Sequence, residues 1–435
     1  MILHEQILNN HKAFLTTLSH RFLDEDRKTA LQKFEKLGFP TKKDEEYKYT
    51  NLKEITEKKY NFFPKTEHQI TKKQLNSLHL GEEHFDWITF VNGKLHKELS
   101  KISIENVEFL SFDHALNNEK HKEIFDKYFN TIASKDSAFA NLNLAYCSFG
   151  FFLKVPKNMV IEKPIHIFYL SENQSENTFY NTRNLLIAEE GAKVEIIESH
   201  HNFDENFVFT NSVTEIFTGK NAKTDWHKLQ NDNDVSYLID STFAKQERDS
   251  LTTVNTFSFG GKLVRNNLNF IQNGENINSL MNGITIIGKD QLIDHHTAVH
   301  HNFPNCESYQ NYKGIFNGKS HGVFNGKVFV DKIAQKTNAY QQNNNVLLSE
   351  GATIDTKPQL EIFADDVKCS HGCTVGQLNE DALFYLRSRG ISEKEARALL
   401  LYAFANDAIQ NIDIEKLKLK ISKLLAEKLE VNMEF

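Results

Sequence analysis

Over the first 37 residues the apolar side chains Ile7, Phe14, Leu18, Phe22, Leu31 and Phe34 recur at helical spacing, and Gly38 ahead of Phe39-Pro40 is a stop signal. This pattern predicts a helical segment from Ile2 to about Leu37. The next stretch, PTKKDEEYKYTNLKEI, is charged and alternates poorly, so it reads as mostly irregular. In WITFVNGKL an Asn-Gly step lies between apolar residues, the strongest short-range hairpin signal. Residues 1–148 are therefore expected to form a helical, α+β N-terminal region.

From about Phe149 to Gly376 the texture changes. Short runs such as IHIFYL, NLLIAEEGAKVEIIES, VFTNSVTEIFTG and NLNFIQNG alternate apolar with polar, and no helix-period segment interrupts them. Turn markers recur at Glu190-Gly191-Ala192, Thr218-Gly219-Lys220, Asn273-Gly274-Glu275, Asn317-Gly318-Lys319 and Glu350-Gly351-Ala352. Their separations are irregular but mostly near 30 residues or somewhat more, within the range of stacked repeats. A strand solenoid fits better than a sandwich: each coil turns one face inward, cannot bury it alone, and stacks on its neighbours. Edge coils then need capping, and the flanking helical regions are candidates for that role.

After Gly376 the helical period returns. Asn379 is a plausible cap for LNEDALFYLRSRG, Gly390 its stop, and Ser392 with Glu395 has capping-box spacing. ARALLLYAFANDAI carries apolar residues around most of its circumference, which implies contact on more than one side. Ile412 to about Val431 reads as a last amphipathic helix. Residues 377–435 thus form a helical C-terminal domain beside a solenoid core over 149–376, and either an internal hairpin or a docking surface would explain its apolar faces.

Composition narrows the function. The 435-residue chain carries 51 Lys plus Arg against 58 Asp plus Glu, a formal charge of -7, with no basic stripe interleaved with aromatics, which argues against nucleic acid. Four cysteines, Cys147, Cys306, Cys369 and Cys373, are too few for the disulfide framework of a secreted protein of this size. No window approaches the roughly 20 apolar residues that span a bilayer, and no basic leader precedes an apolar run. A soluble cytoplasmic protein is expected.

The densest candidate chemistry is KCSHGCTVG, Lys368 to Gly376. On a strand, Cys369, His371 and Cys373 project from one face while Lys368, Ser370 and Thr374 take the other. Thiolate and imidazole suit zinc, iron and copper, but residues two apart on a strand are separated by about 6.5 to 7 Å, long for chelating one ion at about 2.0 to 2.3 Å. A complete site needs ligands from elsewhere, and small buried cysteines beside an edge histidine remain the plain alternative.

A second cluster lies in LIDHHTAVHHNFPNC, where His296 and His300 share a face with Asp294 while His295 and His301 share the other. Either face could hold a metal, although polar residues on a solenoid face are ordinary. No phosphate loop, nucleophile elbow or dinucleotide fingerprint is present, which disfavours a self-contained nucleotide-hydrolysing or acyl-transfer enzyme. A β-helix polysaccharide lyase or hydrolase would need paired carboxylates, and Asp365-Asp366 point to opposite faces. A stable zinc protein built on Cys369, His371 and Cys373 is the other alternative.

KPQLEIFADDVKCSHGCTVGQLNEDALFYLRSRGIS, HHTAVHHNFPNCESYQNYKGIFNGKSHGVFNGKVFV and PTKKDEEYKYTNL together resemble the SufB/SufD family of iron-sulfur cluster assembly scaffolds, with DEEYKYT and CSHG favouring its SufD branch. The resemblance implies a right-handed parallel β-helix between helical terminal regions. It also implies a non-catalytic scaffold that pairs with SufB through the β-helices and binds the SufC ATPase through the helices from Leu378 to Ile409. Phe384, Tyr385, Arg387, Arg389, Leu400 and Tyr402 would lie on that platform. His371 would ligand a transient iron-sulfur cluster at the SufB interface, with Cys369 and Cys373 less directly placed. Cys373 stands where many relatives have alanine. No residue establishes a flavin, which the resemblance leaves open for the complex, and an exposed terminal edge would favour a homodimer of the isolated chain.

Overall fold

Among the described residues, sixteen strands run from Phe151 to Gly376 without an intervening helix, two to a coil, and wind eight coils of a parallel β-solenoid of the right-handed type. The computed structural model describes residues 2–19, 21–81, 83–104, 107–172, 174–406, 408–410 and 412–430. Alternate strands build two facing sheets. In-register partners such as Thr178 and Val208, Leu263 and Leu292, and His321 and Thr353 lie 30, 29 and 32 residues apart, the repeat that the turn markers announce. At two of those markers the corner needs a left-handed backbone, supplied by Gly191 at φ 70° and Gly318 at φ 64°.

Because side chains alternate along each strand, one row enters the lumen and the next faces outward. Inside, Ile196, Trp226, Val254 and Met281 stack in register from coil to coil. Fully buried Trp226 still satisfies its indole N–H, which donates to the Glu198 carboxylate at 2.9 Å. The outward rows are apolar where a helical region covers them. Phe179, Phe209 and Ile239 of one sheet meet Phe34, Phe139 and Tyr146 of the N-terminal region, while Leu229, Phe257 and Ile284 of the other meet Leu401, Ile409 and Ile421.

The expected first helical segment is two helices, Ile2–Thr17 and Asp24–Leu37. The second begins on Asp24, Glu25 and Asp26, which suit the positive end of a helix, and stops where the Gly38 amide donates to the Phe34 carbonyl. The Asn92-Gly93 hairpin forms as read, with Phe90 paired to Leu95 and Val91 to Lys94, and its first strand, Asp86–Val91, extends the solenoid sheet beside Ile165–Ser171.

At the C-terminal end Asn379 caps Glu380–Ser388 by accepting from the Ala382 amide, and Ser392 with Glu395 forms the capping box. Helices Glu393–Asn406 and Glu415–Lys428 follow, and the expected extension to Val431 lies outside the described residues. The C-terminal helices do not cap the last coil. The last two, Glu393–Asn406 and Glu415–Lys428, lie along the outer face of a sheet because their apolar stripe matches the side-chain row there, whereas a sheet edge offers backbone hydrogen-bonding groups instead. The final strands of both sheets, Thr353–Ile362 and Val367–Gly376, therefore end the solenoid as open edges.

Candidate ligand site at the open end of the solenoid

The strand Val367–Gly376 has one sheet neighbour among the described residues, Thr337–Leu347. Parallel register sets Ala339 beside Cys369, Gln341 beside His371 and Asn343 beside Cys373. Those three neighbours are buried in the lumen row, so Cys369, His371 and Cys373 continue it, as the alternation requires. Among the described residues no further coil covers them. Cys369 is half-buried against Val328, Val330, Ala334 and Ala364, and burial raises its thiol pKa. His371 and Cys373 are exposed at the rim.

Beneath His371 the lumen becomes polar. Gln341 is fully buried, and its Nε2 donates at 3.0 Å to Gln310 Oε1, which also accepts from the Thr297 hydroxyl at 2.6 Å. Gly326 leaves room for that amide, since a Cβ there would stand 2.0 Å from Gln341 Nε2. Gln341 Oε1 is a buried acceptor without a partner among the described residues. The in-register column thus reads His371, Gln341, Gln310, then apolar Met281 and Val254. Sequence reasoning passed over both glutamines. Their signal was the coil repeat itself, since Gln341 lies 30 residues before His371 and Gln310 another 31 before that.

Cys369, His371 and Cys373 do not converge. Among the described residues no three donor atoms of this strand come within 4.8 Å of one another, in line with the spacing argument against a single-strand chelate. Cys147 and Cys306 are buried free thiols, one in the N-terminal region and one in a solenoid turn.

The second histidine cluster divides between the two faces of its strand. His295 and His301 enter the lumen, where burial lowers their pKa to about 4 and about 3; each has an Nε2 partner, Thr285 at 2.9 Å and Ser308 at 2.9 Å. His296 faces outward between Asp294 at 3.0 Å and Glu46 at 3.2 Å, and His300 stacks on Phe329 at 4.6 Å. The charged stretch left irregular by its pattern lies over this face. Thr50 donates to Asp294 at 2.5 Å, Arg265 pairs with Asp294 at 2.5 Å and lies 3.8 Å from the Tyr47 ring centre, and Glu46 also accepts from Lys327 at 2.5 Å. His296 thus helps to fasten the DEEYKYT strap, His300 packs on the neighbouring coil, and the inward histidines serve lumen hydrogen bonds.

On the helices, Phe384 and Tyr385 are 74 % and 57 % exposed. Arg389 lies 5.3 Å from the Tyr385 ring centre and Arg387 lies 3.6 Å from Glu393, so these four residues share one exposed helix end. Leu400 is half-buried, and Tyr402 packs against the cluster between helices and sheet. No described helix is long and apolar enough to cross a membrane.

Comparison with known proteins agrees with this architecture over most of the chain. The profile of the SUF system FeS cluster assembly SufBD core domain matches residues 169–404, and that of the SufBD protein N-terminal region matches 4–167. An iron-sulfur cluster assembly SufBD family protein of Synechocystis is 33 % identical over 391 residues, 88 % of this chain and 86 % of that protein. The iron-sulfur cluster assembly protein SufD of Escherichia coli is 30 % identical over 402 residues, 92 % of this chain and 91 % of its own length. A SufBD family protein of Staphylococcus saprophyticus is 27 % identical over 84 % of this chain and 79 % of that one. With both profiles in chain order and relatives matched across nearly their full length, the chain belongs to the SufBD family of iron-sulfur cluster assembly proteins.

Proposed function

We propose that this chain is a non-catalytic scaffold subunit, the SufD-like partner of a SufB-type protein in the cytoplasm, and that His371 supplies one ligand to a nascent iron-sulfur cluster where the two meet. The observation that carries the reading is the uncovered last coil. His371 stands on the lumen row at the rim, next to free strand edges, and Phe363 and Val375 there are 67 % and 48 % exposed. An open edge beside apolar side chains is a surface that a second coil covers by strand pairing and burial. One ligand from each subunit removes the spacing difficulty, because no strand then supplies more than one donor to the ion.

Imidazole is a weaker iron ligand than thiolate, so a histidine on one side suits a cluster that is held and passed on. The helical domain over 377–435 would carry a SufC-type ATPase at Phe384, Tyr385, Arg387, Arg389, Leu400 and Tyr402. Closure of two such ATPase subunits on nucleotide would strain the junction of the solenoids and expose the ligands. The interface is tested by Phe363→Asp combined with Val375→Asp, which places two carboxylates in the desolvated seam. The expected result in size-exclusion chromatography is loss of the pairing with a SufB-type partner. An undisturbed complex would place the interface elsewhere.

A further inference from the structure

At the opposite end of the solenoid the chain gathers a second set of metal-type donors. His68, His96 and Glu98 each bring one donor atom within 4.8 Å of the other two, the only such trio of His, Cys, Asp or Glu among the described residues. They come from two segments held by a shared tie. The Asn92-Gly93 turn, with φ 52° and 82°, returns the chain so that the His96 amide donates to the Thr89 carbonyl at 2.9 Å, and a 3-10 turn over Lys97–Leu99 carries Glu98 round beside it. Asn92 also donates at 3.2 Å to the Glu67 carbonyl, and the Gln69 amide donates at 2.8 Å to Glu172, which fixes the backbone on both sides of His68.

The donor geometry suits an ion. Glu98 Oε1 lies 2.7 Å from His96 Nδ1 and 3.9 Å from His68 Nε2. A tetrahedral ion with donors at about 2.0 to 2.1 Å holds them about 3.3 Å apart, midway between those separations. The two imidazoles are 17 % and 11 % exposed, and Glu98 is 66 % exposed, so the carboxylate is free to swing by the few tenths of an ångström that ligation requires.

We propose that His68, His96 and Glu98 bind a first-row divalent metal ion, zinc or ferrous iron, with water completing its coordination. Two imidazoles and a carboxylate are a donor set that both ions accept. The ion would tie the segment around His68 to the hairpin. In the ten-strand sheet this hairpin and the His371 strand lie at opposite ends, nine strand spacings or about 43 Å apart, so the site is separate from the rim.

The test uses the full chain carrying Cys369→Ser, His371→Ala and Cys373→Ser, which removes the donors at the rim. It is titrated with zinc against a chromogenic chelator and, under anaerobic conditions, with ferrous ion. One equivalent of zinc or iron is expected, with affinity falling at least 100-fold in His68→Ala/His96→Ala and about 10-fold in Glu98→Gln, whose side chain is too exposed to unfold the protein. Circular dichroism checks the double variant, and single His68→Gln and His96→Gln variants replace it if it misfolds. Failure of both ions to bind at micromolar concentration, or stoichiometry and affinity unchanged in all these variants, overturns the proposal.

Discussion

Removing the imidazole of His371 should separate folding from cluster assembly. Its side chain is exposed at the rim, so His371→Ala is expected to change stability by no more than about 0.5 kcal/mol, a shift of about 0.5 °C in a chain of this size. Gln341→Leu tests the layer below. It deletes one hydrogen bond to Gln310, worth about 1 kcal/mol net, but it also removes the unpartnered buried Oε1, whose desolvation costs about 1 to 3 kcal/mol, while Gln310 keeps its bond from Thr297. The two effects offset, so this variant too should melt within a few degrees of the native chain. In the proposed site the unpartnered Gln341 Oε1 would act as an outer-shell acceptor for the imidazole above it, a role whose loss lowers metal affinity about 10- to 100-fold, and loss of the ligand itself lowers it further. The assay is anaerobic reconstitution of the complete heterocomplex, with iron and sulfide counted per complex and chromatography confirming assembly. His371→Cys should keep a cluster and release it more slowly. A His371→Ala complex that assembles normally and holds as much cluster as the native one would refute the reasoning.

Asp294→Asn should destabilise the chain by about 3 to 5 kcal/mol in urea unfolding, because it leaves Arg265 buried at 2 % exposure without its counter-charge, and the apolar pair Arg265→Met/Asp294→Leu should recover much of the loss. The hydrogen bond from His296, and then that from Lys327, lower the Glu46 pKa from 4.5 to about 2. A carboxylate depressed in the folded state stabilises above its unfolded pKa and loses that contribution as pH falls through 4.5 towards 2. With the Glu46 side chain 43 % exposed, solvent screening reduces the effect to about 1 to 2 kcal/mol, so Glu46→Gln should melt earlier at pH 7 and converge with the native chain near pH 2. Phe384→Ala/Tyr385→Ala should leave the melting temperature within about 2 °C, since both side chains are largely exposed, and should abolish capture of a SufC-type ATPase in pull-down.

Strand alternation, turn glycines and the change of period near Gly376 were legible along the chain because each is local: a period of two sets inward against outward, and a missing Cβ permits a left-handed corner. The division of His295 and His301 from His296 and His300 followed from the same rule, and so did the shared face of Cys369, His371 and Cys373. Residues that meet across long separations were decided only by the tertiary structure. Glu46 reaching His296, Gln341 lying under His371, and His68 approaching His96 depend on how coils stack and where the strap crosses them, which no local period encodes. The helices gave the clearest case. Their amphipathic faces were readable, but covering a sheet face or closing a sheet edge depends on which surface offers matching apolar rows. Here the faces did, and the last coil was left open with His371 at its rim.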